Sequence, residues 1–323
     1  MTVLLGTQEA DIRPVRPDEL PACAAIWRRS INDYTGRFGQ AEIPDDLDAV
    51  MTLYRHLQAT DPERFIVAGR LDGDGTDRVV GFAAAVVRAG QWFLSMLFLE
   101  PEEQGVGLGR TLLEGVLPPD GSDLRLATCT DSAQPISNGL YSRYGMVPRL
   151  PLLDVVGGVR HPEALPDLPA GVVATAFEAI VEGSADGHRA LSTHVDELDR
   201  EVVGFDHPMD HRWIRTVGRR GYLYRDGAAD DAPVLGYGYG SDVGRIGPIA
   251  VRDEALMGPV VGHLLRSFEP RGAFAVWVPG AATGAVTTLL DAGLRIEGFP
   301  LLLCWDRAST DFARYLPISP GLL

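Results

Sequence analysis

The chain of 323 residues contains no lysine; all 29 of its basic residues are arginine. A P-loop nucleotide site needs a lysine to reach the phosphates, so that chemistry is excluded. Cysteine is almost as scarce. Cys23, Cys129 and Cys304 stand far apart without CxxC spacing, which leaves neither a disulfide framework nor a zinc signature. Each reads as a small buried apolar residue. Positive charge is also short: 29 cations face 44 carboxylates, and the net charge of −15 argues against a nucleic-acid partner. The same field would attract a cationic amine, or would simply keep the surface soluble. Long apolar runs are missing, and residues 1–5 lack the charged start of a signal peptide, so a cytoplasmic protein with no membrane partner is expected.

What is present is an ordinary globular composition, 46% hydrophobic and 23% charged, in a chain long enough for two domains. Periodicity predicts strands at 12–15, 65–69, 79–87 and 93–99, with turns at 72–75 and 89–90, and helices at 18–30 and 45–58. A helix at 109–116, a strand at 124–128, a helix at 136–144 and a strand at 150–156 complete the first half. Residues 157–170, rich in Gly and Pro, read as a linker. The pattern then restarts with a strand at 172–177 and helices at 188–203 and 211–219. Strands at 222–224, 234–240 and 245–251, a helix at 254–267, a strand at 274–278, a helix at 283–292 and a strand at 299–305 follow. The repeated order points to an internal duplication.

The informative segment runs Leu97-Phe98-Leu99-Glu100-Pro101-Glu102-Glu103-Gln104-Gly105-Val106-Gly107-Leu108-Gly109-Arg110. An apolar strand meets a proline, and a loop with glycine at alternate positions opens a helix. Such a turn presents main-chain N–H groups to an anion and adds the positive end of the helix, a design suited to a pyrophosphate. The third glycine is misplaced for a dinucleotide fingerprint. A plain structural turn is the alternative.

With its surroundings, the segment resembles motif A of the GNAT acetyltransferases, (Q/R)xxGx(G/A) after a strand. The stretch Gln134-Pro135-Ile136-Ser137-Asn138-Gly139-Leu140-Tyr141-Ser142-Arg143-Tyr144-Gly145-Met146 resembles their motif B, with Tyr141 four residues before Gly145. The resemblance covers about residues 10–156 and implies an α/β (α+β) fold of two tandem GNAT-like domains. Each would be a central, mostly antiparallel twisted sheet flanked by helices: 1–156 binding acetyl-CoA, then the linker, then 171–323. It also implies roles. Main-chain groups of the Leu97-Phe98-Leu99 strand would pair with the pantetheine arm, and Gln104, Gly105, Val106, Gly107, Leu108, Gly109 and Arg110 would wrap the pyrophosphate. Gln134 stands where the family has asparagine, a departure; Asn138, one turn on, is the other candidate for holding pantetheine. Tyr141 would protonate the departing thiolate, since a phenol pKa near 10 lies just above that of a thiol. The N–H of Leu99 would stabilise the oxyanion.

The base is less well marked. Cys129 occupies the place of the glutamate that some members carry, and Glu100, Glu102 and Asp131 are nearby carboxylates. Trp27, Asn32, Asp33 and Tyr34 close the first helix, where the family commonly binds acceptors. The implied activity is acetyl transfer from acetyl-CoA to a primary amine of a small molecule in a ternary complex. A non-catalytic acyl-CoA-binding sensor or assembly module is the rival.

In the second half the glycine turn is replaced by Val251-Arg252-Asp253-Glu254-Ala255-Leu256-Met257-Gly258, and Leu289 precedes Gly293 where Tyr141 precedes Gly145. This reads as a degenerate GNAT-like domain that shapes the acceptor pocket or stabilises the first. His207 and His211 lie four apart, but Pro208 interrupts a continuous metal-binding helix, so solvated loop histidines and no metal are expected. The acidic run from Asp196 to Glu201 reads as a solvated helix face.

Overall fold

A computed structural model describes residues 10–71, 75, 77–183 and 185–323. The expected turn at 72–75 falls largely outside them, as do residues 1–5. Two compact units emerge: Met1–Val87 with Trp92–Leu124, and Arg88–Gln91 with Arg125–Leu323.

In the first unit, β1 (Asp11–Pro14), β2 (Phe65–Leu71), β3 (Asp77–Arg88) and β4 (Gln91–Leu99) lie side by side in that order. The β1–β2 and β2–β3 pairs are antiparallel. Long buried runs in β2, β3 and β4 mark strands covered on both faces. Helices α1 (Leu20–Thr35) and α2 (Asp48–Thr60) pack together. Helix α2 starts three residues later than periodicity suggests, because the Asp46 side chain accepts the Asp48 N–H at 3.1 Å in a turn ahead of it. Tyr54 of α2 meets Phe65 and Phe82 edge-on at 5.7 and 5.5 Å, and Phe98 lies 5.9 Å from Phe82. Helix α3 (Leu108–Val116) buries Leu108, Leu112, Leu113 and Val116 and packs on β2. Each such side chain contributes about 2 kcal/mol of hydrophobic stabilisation. Gly115 permits the approach, since a Cβ there would sit 2.7 Å from Ile66 Cδ1.

The second unit holds β5 (Arg125–Asp131), α4 (Pro135–Ser142), β6 (Val147–Gly157), β7 (Val172–Ala176), α5 (Phe177–Glu182), α6 (Gly187–Leu198) and α7 (Pro208–Thr216). It continues with β8 (Arg220–Asp226), β9 (Val234–Gly240), β10 (Arg245–Val251), α8 (Met257–Ser267), β11 (Phe274–Pro279), α9 (Thr283–Asp291), β12 (Arg295–Trp305) and β13 (Tyr315–Leu316). The strand order is β5-β12-β6-β11-β10-β9-β8-β7, with β13 on β10. Strands β10 and β11 are parallel; the other pairs are antiparallel. Apolar side chains from α8, α9, β10 and β11 form one core, which Leu165 of the expected linker enters.

The duplication is visible in the elements: β9-β10-α8-β11-α9-β12 repeats the order β3-β4-α3-β5-α4-β6. The last strands are exchanged. Strand β12, from the second repeat, pairs with β5 of the first, while β6, from the first repeat, pairs with β11 of the second. Strands β6 and β12 also pair with each other, so the C-terminal elements of the first repeat pack in the second unit. Periodicity misses the short α5 and the two-residue β13. It also starts β12 at 299 instead of Arg295, because the pairing to β6 shifts between Glu297 and Leu301 around Gly298, whose φ of 65° breaks the alternation.

Candidate active site

The glycine segment folds as a strand, a tight turn and a helix, all within the first unit. Gly81 lets β3 approach the end of β4: a Cβ there would lie 2.3 Å from Leu99 Cδ2 and 3.2 Å from the Phe98 carbonyl oxygen. The Glu100 N–H donates to the Val80 carbonyl at 2.9 Å. After one helical turn at Pro101–Glu103, Gly105 and Gly107 take φ of 82° and 96°, a left-handed region costly for any residue with a Cβ. An added Cβ at either would meet no atom within 4 Å, so the space before the turn is open.

Gly107 is the N-cap of α3; no side chain caps the helix and its first turn has no acidic residue. The first N–H groups of a helix have no partner inside it, and they gather the positive end of its dipole. Gly105, Val106 and Gly107 are exposed, Leu108 is buried, and Gly109 packs closely, a Cβ there lying 3.4 Å from Leu99 Cδ1. Arg110 is exposed and pairs with Glu114 at 2.9 Å.

Helix α1 is tied to this turn. Gln104 Nε2 donates to Ser30 Oγ at 3.4 Å, and Arg29 donates through Nε and Nη2 to the two oxygens of Glu100 at 3.0 and 2.5 Å. Glu100 is buried, and this pairing raises the already high pKa of Arg29. The expectation that Glu100 serves as base thus meets a carboxylate whose two oxygens are both engaged. Glu102 is exposed. Trp27 and Tyr34 are half-buried, whereas Asp33 is exposed and pairs with Arg37 at 2.6 Å. Asn32 Oδ1 accepts the Ile43 N–H at 2.9 Å, drawing the following loop back to α1.

The second motif lies in the second unit. Asp131 Oδ1 accepts the Ala133 N–H at 2.8 Å in the turn between β5 and α4. Asn138 Nδ2 donates to the carbonyls of Asp131 and Gln134, both at 2.9 Å. Its Oδ1 is buried without a partner among the described residues, an acceptor waiting for a donor. Gln134 contributes its main chain here as the N-cap residue of α4. Tyr141 is 5% exposed, and burial pushes its phenol pKa well up, partly offset by a hydrogen bond with Ser137. Cys129 and Cys304 lie on adjacent strands, Cys129 opposite Leu303 and Cys304 opposite Thr128. Burial raises the pKa of Cys304 to about 12, so it stays a thiol. Sequence reasoning missed Arg29, for which nothing local gives a signal, and passed over Ser137 inside a motif it had quoted.

The sequence profile of the Acetyltransferase (GNAT) family matches residues 27–146. Phosphinothricin N-acetyltransferase of Alcaligenes faecalis is 31% identical over 144 residues, 42% of this chain and 69% of that protein. The chain belongs to the GNAT acetyltransferase family. It is therefore an acyltransferase, and the sensor alternative gives way. The GNAT fold extends along the whole chain. A candidate acetyltransferase from Pyrococcus horikoshii matches all of it and 99% of its own length at a TM-score of 0.68 and 16% identity. A tandem GNAT protein from the clavulanic acid biosynthesis pathway matches 93% of this chain and 100% of its own at 0.52 and 16%.

Within this GNAT chain the two repeats differ at the glycine turn. The Asp253 side chain accepts the Ala255 N–H at 2.9 Å and supplies its own carboxylate at the entry to α8. Gly258 serves helix packing, since a Cβ there would lie 2.9 Å from Thr288 Oγ1. Two expectations are overturned. Pro208 occupies the first turn of α7, where proline is tolerated, and His207 and His211 are buried, not solvated. The acidic run is not all surface either: Asp199 opens a π-helical turn, Asp199–Val203, closed by the Gly204 N–H on the Asp199 carbonyl at 2.8 Å, and is fully buried.

Proposed function

We propose that this chain moves an acetyl group from acetyl-CoA to a primary amine of a small molecule by direct attack in a ternary complex. The open glycine turn at the start of α3 carries the reading. It offers N–H groups, a helix N-terminus and unobstructed space to a pyrophosphate, and it keeps its own carboxylates out of the first turn. Gln104 through Arg110 hold the pyrophosphate through the main chain. The Leu97-Phe98-Leu99 strand end pairs with the pantetheine, and the unpartnered Oδ1 of Asn138 accepts one of its amide N–H groups.

The amine nitrogen attacks the thioester carbonyl while the Leu99 N–H steadies the oxyanion. The C–N bond forms, the C–S bond breaks, and the thiolate takes the phenol proton of Tyr141. The phenolate is reprotonated from solvent as the ammonium loses its proton to water. Burial keeps Tyr141 in its protonated form and makes it a weaker acid, and the Ser137 hydrogen bond offsets part of that rise. Glu100 acts as the anchor of α1 through Arg29 and not as the base. Trp27, Asp33 and Tyr34 lie on the acceptor side, and the small-molecule relative of Alcaligenes supports an acceptor of that size.

Thermal unfolding with acetyl-CoA, CoA, NAD and ATP tests the reading. A hundredfold excess over Kd stabilises by about 2.7 kcal/mol. Acetyl-CoA and CoA should raise the midpoint while NAD and ATP do not; if no CoA species shifts it, the turn is structural and the proposal fails. Release of free thiol across a panel of small amines then identifies the acceptor.

A further inference from the structure

Asp199, His207 and His211 are each at most 2% exposed, and one ligand atom from each lies within 4.8 Å of the others. His211 Nε2 is 2.8 Å from Asp199 Oδ2, and His207 Nε2 is 3.2 Å from the same oxygen. Bonds of about 2.0 Å around a tetrahedral ion set its ligand atoms about 3.3 Å apart, so the two distances to Asp199 Oδ2 need to open by at most about half an ångström.

The outer atoms are arranged as a metal site requires. Tyr237 donates to Asp199 Oδ1 at 2.6 Å, leaving Oδ2 turned inward. His211 Nδ1 meets Tyr239 Oη at 3.0 Å. His207 Nδ1 faces Asp210 Oδ2 at 3.6 Å, and Arg88 holds that carboxylate at 2.7 and 3.0 Å. Each imidazole thus presents Nε2 to one point and Nδ1 to an orienting group, the pattern that fixes ring tautomer and aim in metal centres. Neither ring nitrogen of His207 makes a hydrogen bond among the described residues, although the ring is completely buried. A ring so buried between the carboxylates of Asp199 and Asp210 needs a cation there, either its own proton or a metal ion.

We propose that Asp199 Oδ2, His207 Nε2 and His211 Nε2 bind a divalent transition metal ion, zinc in its ordinary role. Imidazole and carboxylate suit zinc, and lack of access for a substrate makes the role structural. The ion would join the π turn after α6 to the first turn of α7. This site is independent of the acetyl-CoA reading.

The test uses the full chain, stripped with a strong chelator and reloaded with one equivalent of zinc or cobalt. The expected results are one zinc per chain by elemental analysis, the intense visible absorption of four-coordinate Co²⁺, and, with free zinc raised to about a hundred times its Kd, an unfolding midpoint raised by about 4 °C. Magnesium should leave the midpoint unchanged. His211→Gln should abolish retention, and the exposed His161→Gln should leave one zinc per chain. Should the buried variant not fold, the cobalt spectrum of the unaltered protein decides. No retained zinc and no cobalt band from the wild-type chain would overturn the site and leave the cluster as a charge network closed by a proton on His207.

Discussion

Tyr141 and Glu100 were both expected to act in catalysis, and their surroundings now set them apart. Tyr141→Phe should lower kcat at least about a hundredfold while leaving the acetyl-CoA Kd within about twofold. A small change in kcat would make Tyr141 a core aromatic and no more. Glu100→Gln should lower stability by about 1–2 kcal/mol through its broken ion pair and leave the pH–rate profile in place; loss of the acidic limb from that profile would restore Glu100 as base.

Asp154 of β6 gives a pH signature. Burial raises its carboxyl to about 6, against the attraction of Arg245, and its Oδ1 is buried without a hydrogen bond among the described residues. The folded state binds this proton more tightly than the unfolded state, so the group's cost is absent below about pH 4 and grows as pH rises toward 6. Asp154→Asn should therefore stabilise at pH 8 by about 1 kcal/mol after solvent screening and bring nothing at pH 4; urea unfolding at the two pH values checks the sign. At this scale the sequence was legible only where spacing is short. Tyr141 and Asn138 could be placed because each lies within one helical stretch, whereas the Arg29–Glu100 pair spans 71 residues and leaves no local pattern.

Among elements, the turn into α3 and its counterpart into α8 differ in what one framework presents at a helix start: exposed glycines at the first, the Asp253 carboxylate at the second. Periodicity placed both helices, and the glycine spacing singled out the first. The carboxylate at the second, Asp253, could be quoted from sequence but not assigned as a cap without the fold. Gly107→Ala forces a left-handed residue and should cost about 1–2 kcal/mol, yet its Cβ meets nothing, so the protein should still fold. Acetyl-CoA should bind at least about tenfold more weakly, while acetyl-pantetheine, which lacks the pyrophosphate, should bind as before. Equal weakening of both would move the pyrophosphate elsewhere. The buried histidines escaped sequence reading for a related reason: Pro208 was read as an interruption, when it begins the helix that aims His211 at Asp199.

For the whole molecule, the duplication was legible as a repeated order of elements, but the exchange of final strands was not. Hydrophobic alternation states that β6 and β12 are strands without naming their neighbours. A fragment ending at residue 156 would leave β5 without β12, exposing backbone groups and an apolar edge. It should be aggregation-prone and unfold without a cooperative transition, whereas cleavage confined to 157–170 in the intact protein should leave the two pieces eluting together. Calorimetry and gel filtration check these outcomes, and a well-folded 1–156 fragment would show that the exchanged pairing is dispensable.

The exchange bears on how such a protein could change over generations. A copied segment that gives up its chemistry is ordinarily free to decay or be deleted. Here the copy holds a strand that its sibling needs and has taken one in return, so deletion of either would strand the other. Mutations can alter the turn of the second repeat, where Asp253 stands in place of the glycines, but a shortened gene would take a paired strand from each repeat.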